Sequence, residues 1–258
     1  MKTCAREVIE QGQIVLQSDL HKHPYILRVL DITDLPAVMQ LQHNLVTGME
    51  KKELYVPISE KEMLSLLEGN GEALGLFIED KMYAACSLLH KVDYGNNMAR
   101  ELDFSEEELT RVAQLELSLV NLDLRGYKLQ YKMASILAER VQKQSQTRYL
   151  FTTVSPYNYP SIETVTSMGL YIAKLAQMYY GWDRYVVYKD FEQPIKVDKS
   201  EVIILPNTAW AEQQELLHNG YRGFSQFQDE EGIKIMYARK SSCQGDGSPD
   251  SPLVDGML

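Results

Sequence analysis

At 258 residues the chain has room for one large domain or two modest ones, with ample surface to bury a core. Its 45% hydrophobic and 24% charged residues are ordinary for a globular protein, and no run of about 18 apolar residues exists to span a membrane. A net charge of −10 argues against general nucleic-acid binding, which needs cationic surface to displace counterions.

The first seven residues lack the apolar core of a secretory signal. Cys4, Cys86 and Cys243 are scattered, odd in number and without metal-ligand spacing, so a reducing cytoplasm and no metal are expected. Residues 1–24 match no pattern and stand as an N-terminal extension. Within them His21 and His23 flank Lys22 and read as lacking nearby acids or cysteines.

Residues 25–30 read as a strand. Thr33 or Asp34 is a natural N-cap for a helix reaching about residue 44, with Pro36 in its first turn. Ser59-Glu60-Lys61-Glu62 is a capping box, and Met63, Leu66 and Leu67 keep helical spacing behind it. Apolar runs at 73–79 and 82–89 around Asp80-Lys81 predict a β-hairpin. A polar loop follows at 91–104, then a second capping box, Ser105-Glu106-Glu107-Glu108. The acidic group Glu101, Asp103, Glu106, Glu107 and Glu108 would attract a cationic amine, but capping already explains three of these charges.

Residues 114–121 alternate, which places Leu115, Leu117 and Leu119 on one strand face. Beyond Arg125-Gly126 a helix is predicted, with Leu129, Met133, Ile136, Leu137, Arg140 and Val141 along its buried stripe. Lys128, Lys132, Ser135 and Glu139 fall opposite. Residues 125–148 hold six Lys and Arg against Glu139 alone, a basic island on an acidic chain. A strand feeding a helix N-terminus through an Arg-Gly turn is an anion site, because free N–H groups point outward and the helix dipole favours negative charge. A strand at 149–154, Ser155-Pro156-Tyr157-Asn158, a helix at 158–168 and strands near 170–179 and 184–189 complete the pattern.

Two stretches carry a resemblance. The run from Val120-Asn121-Leu122-Asp123-Leu124 through Arg125-Gly126-Tyr127-Lys128-Leu129-Gln130 resembles the V-x-P-x-Y-R-G-x-G-L-Q run of GNAT acetyltransferases. Ser155-Pro156-Tyr157-Asn158-Tyr159-Pro160-Ser161-Ile162, with Met168-Gly169-Leu170 beyond, is similar to that family's H-P-x-N-x-x-S-I and L-G-F block. The order β-α-α-β-β-(α)-β-α-β-α-β-β over residues 25–190 matches as well. The resemblance implies an α/β (α+β) fold, a mixed and mostly antiparallel twisted sheet flanked by helices.

It also implies acetyl-CoA as cosubstrate and transfer of its acetyl group to an amine, a small molecule or a peptide, with no nucleic acid or membrane as partner. Arg125, Gly126, Tyr127, Lys128, Leu129 and Gln130 would cradle the diphosphate. Lys128 stands where the family most often has its second Gly, which permits close backbone approach; Lys128 can still donate its N–H if its φ is helical, with its ammonium as compensation. Leu119 and Val120 would pair with pantetheine where their strand splays from residues 152–154, and Asn158 and Ser161 would touch the cofactor. Glu116, four residues before Val120, is the candidate base, beside the plainer role of an ion-paired strand Glu. The Tyr that often serves as acid in the family's second helix is Val165 here, which leaves Tyr157, Tyr159, Tyr171 or solvent. A catalytically weak acyl-CoA-binding or regulatory protein on the same scaffold is the alternative.

Past a polar connection, residues 201–205 read as a strand, Asn207-Thr208 as the cap of a helix at 208–218, and 221–238 as two strands. This β-α-β-β extension, residues 200–240, is too small to bury a core alone and should pack on the main domain or on a second copy in a homodimer. Residues 241–258, rich in Gly and Pro, are expected to be disordered.

Overall fold

A computed structural model describes residues 6–144 and 146–241. In chain order the body contains β1 (Val8–Val15), β2 (Lys22–Val29), α1 (Leu35–Thr47), α2 (Glu60–Ser65), β3 (Gly71–Ile78), β4 (Lys81–Leu89) and α3 (Glu106–Leu109). It continues with β5 (Val112–Val120), α4 (Leu129–Gln144), β6 (Tyr149–Val154), α5 (Tyr159–Ser167), β7 (Tyr171–Met178) and β8 (Trp182–Asp190). The last segment adds β9 (Val197–Pro206), α6 (Trp210–His218), β10 (Tyr221–Asp229) and β11 (Gly232–Lys240). Among the described residues no helix is long and apolar enough to cross a membrane.

The strands form one sheet in the order β1-β2-β3-β4-β5-β6-β8-β7-β10-β11-β9. Every neighbouring pair is antiparallel except β5–β6, which the α4 crossover makes parallel. The expected mixed, mostly antiparallel sheet is what the chain builds. Alternation along β4 serves two cores. Ala84, Cys86 and Leu88 face Met133, Leu137 and Ile162 of α4 and α5, whereas Met82 and Ala85 face Val38, Leu41 and Met63 of α1 and α2. Both predicted capping boxes form: the Ser59 and Ser105 hydroxyls accept the Glu62 and Glu108 N–H groups, and each Glu carboxylate reaches back.

Several expectations are corrected. Asp34 makes no side-chain cap of α1; its buried carboxylate is gripped by Arg28 at 2.7 and 2.8 Å, and Asp31 caps a 3₁₀ turn instead. Leu115, Leu117 and Leu119 do not share a face. Ser87 pairs with Leu117 and Leu88 with Leu115, so Glu116 is the extra residue of a β-bulge. Leu117 and Leu119 therefore pack with α1 and α2, and Leu115 packs with the α4 core. His23 does have an acid at hand: its Nε2 lies 2.7 Å from Asp19 Oδ2.

Within residues 1–24, β1 becomes an edge strand on β2. The C-terminal segment begins at Val197, and β10 touches β7 at one register pair, Gly223 to Ile172. A Cβ on Gly223 would come within 2.9 Å of Ile172, so glycine permits that approach. Asn207 and Thr208 do not cap α6, whose N-cap is Ala209; the Asn207 amide donates to Pro156 O at 2.9 Å. Residues 242–258, expected to be disordered, lie outside the described residues.

Candidate active site

β5 and β6 pair at Val112–Tyr149, Ala113–Leu150 and Gln114–Phe151, and then part. Thr152 Oγ1 still reaches Leu115 O at 2.9 Å; beyond it the strands splay. β5 keeps pairing with β4 as far as Val120, and β6 with β8 as far as Val154, so the gap opens within a continuous sheet. Asn121 donates its N–H to Tyr83 O, across to β4. By antiparallel alternation Leu119 also pairs with β4, while Ser118 and Val120 aim their main-chain groups into the gap. Of the two positions anticipated for pantetheine, Val120 has that orientation and Leu119 does not. Ser118, the other gap-facing residue, was hidden because strand polarity depends on register.

The cleft along this gap has a volume of about 2060 Å³. Small-molecule sites usually occupy about 300–1,000 Å³, so there is room for two bound groups. Glu116, Leu119, Val120, Arg125, Gly126, Lys128, Leu129, Gln130, Asn158 and Ser161 all line it. Tyr127 does not; its hydroxyl donates to Val15 O at 3.1 Å and accepts from Val15 N, pinning the ring to β1.

At one end lies the loop into α4. Gly126 has φ +90°, and Lys128, expected to be helical, has φ +54°. Lys128 thus takes the left-handed conformation that a glycine would adopt without strain. Among the described residues the main-chain N–H groups from Gly126 through Tyr131 have no protein acceptor. Arg125 and Lys128 make no ion pair there, unlike their basic neighbours. Lys132 is bound by Glu10, and Arg140 by Glu7 and Glu72, so β1 and β3 neutralise much of the basic island. Arg148 pairs with Asp190. Replacing Lys128 by Gly should relieve backbone strain and raise stability by up to about 1 kcal/mol. A higher urea midpoint at unchanged slope would show it, and Lys128→Ala should give no such gain.

Beside the loop, Asn158 caps α5 by accepting Ser161 N–H, and its amide donates to Leu54 O at 3.3 Å. Gln130 Nε2 donates to Ser161 Oγ at 3.4 Å, so the N-termini of α4 and α5 meet at this end.

Also lining the cleft, Glu116 sits at its bulge and accepts a 2.7 Å hydrogen bond from Gln114 Nε2. Gln114 is itself held by Met98 N–H at 2.7 Å. Burial raises the Glu116 carboxyl above its ordinary value, Glu62 adds to this, and the Gln114 bond partly offsets it. No cation pairs with it among the described residues, so the geometry does not make it an ion-paired strand Glu. Val165 is a core residue, 4% exposed. Of Tyr157, Tyr159 and Tyr171, only Tyr157 lines the cleft. Tyr179 lines it too, half exposed, with its hydroxyl 2.9 Å from Thr153 Oγ1. Sequence reading placed Tyr179 at the end of a strand; it lies just past β7, in the turn to β8. Of the acidic group only Glu101 lines the cleft, and it is paired with Lys174 at 2.9 Å. No three of His, Cys, Asp and Glu come together to hold a metal ion among the described residues.

No protein-family model matches the sequence, and no curated protein matches it either. Solved structures do match the fold. The Arabidopsis thaliana NAA60 structure, in complex with acetyl-CoA, is 10% identical over 66% of this chain and 99% of its own, with a TM-score of 0.52. The Salmonella typhimurium yncA structure, with its cofactor acetyl-CoA, is 15% identical over 68% of this chain and 98% of its own, with a TM-score of 0.50. A GNAT-family acetyltransferase from Streptococcus pneumoniae is 14% identical over 64% of this chain and 98% of its own, with a TM-score of 0.48.

The fold is GNAT-like. At the two edges of this sheet lie β1 and, on the other side, the β9-α6-β10-β11 segment. Each touches the site's surroundings: β1 through Tyr127 and Lys132, and the C-terminal segment through the Pro156 carbonyl.

Proposed function

We propose that this chain is an acyl-CoA-dependent N-acyltransferase, carrying acetyl from acetyl-CoA to a primary amine by direct attack. The observation that carries this is one continuous cleft lined both by a cationic row of unpaired main-chain N–H groups and by a partly buried, cation-free Glu116. The N–H groups from Gly126 to Gln130, with Arg125 and Lys128, suit a diphosphate. Val120 and Ser118 suit the extended pantetheine and the thioester oxygen. Asn158 and Ser161 would border the cofactor where α5 begins.

An amine with a pKa near about 10 is mostly protonated at neutral pH, so a proton must leave before attack. Glu116 takes it, directly or through a water. The nitrogen bonds to the carbonyl carbon, and the developing oxyanion is met by a main-chain N–H of β5. The adduct then collapses: the C–S bond breaks, the nitrogen loses its second proton, and the thiolate gains one from Tyr157, Tyr179 or solvent. The chemistry needs no metal and forms no covalent enzyme intermediate. The buried free Cys86 fits a reducing cytoplasm. The acceptor is a small-molecule or peptide amine.

Calorimetric titration with acetyl-CoA tests the binding half. Saturable heat is expected, with affinity about tenfold weaker in Arg125→Ala, the loss of one charge-assisted contact. Heat equal to dilution at millimolar ligand would refute the proposal. A binding-only role is the competing reading, favoured by the burial of Val165 where an acid would stand. CoA binding without thiol release across a broad amine panel would establish it.

A further inference from the structure

Arg184, on β8, is among the largest fully buried side chains, with 2% of its surface exposed. A guanidinium stays protonated in proteins and carries five N–H donors, so burying one calls for acceptors. Arg184 has few. Its Nη1 donates to the Asp183 carbonyl at 2.8 Å, and its Nη2 has no hydrogen-bond partner among the described residues. Among the described residues no carboxylate forms an ion pair with it: Asp183 accepts from the Tyr157 hydroxyl instead, and Glu53 acts on it only through space. The guanidinium carbon sits 5.9 Å from the ring centre of Tyr179 and 5.4 Å from that of Trp182.

These aromatic faces hold the group without neutralising it. Its place matters as much as its state. Arg184 lines the same cleft as Glu116, far along the chain from the Arg125–Gln130 loop, and Tyr179 feels the charge of both Glu116 and Arg184. A buried cation without a counter-ion in the cleft that also holds the base is arranged to receive an anion that arrives with the acceptor.

We infer that Arg184 binds a carboxylate of the acceptor, so that the substrate class is amines that also carry a carboxylate, as amino acids and acidic peptides do. The inference rests on the acyl-transfer proposal and names the substrate class of that site. Planar fork geometry suits a carboxylate, which would bond the guanidinium through its unpaired donor while the substrate amine faces Glu116. Tyr179, whose ring centre lies 5.9 Å from the guanidinium, lines the cleft beside it.

The test compares thiol release from acetyl-CoA with a panel of free amino acids, their carboxamides, and short acidic peptides, using wild type, Arg184→Met and Arg184→Lys. Wild type should show a KM at least tenfold lower for the best carboxylate acceptor than for its carboxamide. Arg184→Met should erase that difference by raising KM for the acid, with the carboxamide's kcat/KM changed less than threefold. Arg184→Lys should retain part of it. Arg184→Met should melt no lower than wild type, because it removes an unpaired buried charge. Free amino acids outperforming peptides would identify a small acceptor, and the reverse a peptide one; either supports the inference. Equal use of acids and amides by wild type would overturn it. Should acetyl-CoA bind but no amine support turnover, acyl transfer itself fails. Calorimetric binding of the amino acids against their amides then decides the Arg184 carboxylate site independently.

Discussion

Replacing Glu116 by Gln should lower kcat/KM by about 10²–10⁴-fold, the usual contribution of a positioned general base. Acetyl-CoA affinity should stay within about twofold, because Glu116 is assigned to the acceptor's proton and not to the diphosphate, which the Arg125–Gln130 loop would hold. Wild-type kcat/KM should rise with pH through the Glu116 titration, and that limb should lie above the ordinary carboxylate value of 4.5, because burial disfavours the charged form. The same shift has a consequence for folding. The folded state holds this proton more tightly than the unfolded chain does, so the stabilising contribution is full below about pH 4.5 and is lost as pH rises through the elevated folded value. At pH 8 wild type therefore carries a partly desolvated carboxylate, without a paired cation among the described residues, that Glu116→Gln lacks. The variant should melt higher than wild type at pH 8, with the difference shrinking at pH 5. Thermal unfolding at both pH values, alongside thiol-release kinetics, checks the two halves. An unchanged rate would remove Glu116 from the chemistry, whatever the melting curves show.

The second large effect is expected far from the cleft. Gln213, on α6, has no exposed surface. Its Oε1 accepts from the hydroxyls of Tyr185 and Tyr237, both at 2.6 Å, and its Nε2 donates to Pro206 O at 3.1 Å. Tyr185 belongs to β8 of the GNAT-like body and Tyr237 to β11, so one amide ties the C-terminal segment to the rest. Main-chain pairing between the two is slight, with β10 meeting β7 at a single register pair. Gln213→Ala would take the shared acceptor from two buried hydroxyls and leave a cavity, while Pro206 O would keep the Ala209 N–H. A loss of about 2–4 kcal/mol is expected. Chemical denaturation checks it, and a loss below about 1 kcal/mol would mean that the segment is held by its other contacts, such as Asn207 to the Pro156 carbonyl. Gln213→Glu should also destabilise, since it sets a carboxylate oxygen against Pro206 O where the amide donated.

The elements that sequence reading located well are those made by neighbours in the chain. Ser59 with Glu62 and Ser105 with Glu108 form capping boxes within four residues, and the β3–β4 hairpin turns within a two-residue link. The strand, turn and helix that run from β5 through Arg125-Gly126 into α4 are local in the same sense, which is why the turn with its free N–H groups could be anticipated. Failures came where a local choice was overruled by something distant. Asp34 had the chemistry of a cap, but Arg28 offered a buried bidentate bond. Asn207 had it too, but the Pro156 carbonyl lay closer to hand in the fold. Lys132 looked like a free cation until β1, which no pattern had revealed, brought Glu10 across to it.

By itself, then, the sequence determined the order of the elements, the caps, and the turn into a cationic helix, because each rests on hydrogen bonds or apolar periodicity spanning a few residues. Only the tertiary structure decided that Glu116 sits on a bulge, that β5 and β6 separate beyond Thr152, and that Arg184 is buried without a partner. Each of these depends on which strand lies alongside and in what register. Burial and pairing across a sheet are relations between residues tens of positions apart, and no window of sequence contains both ends of them.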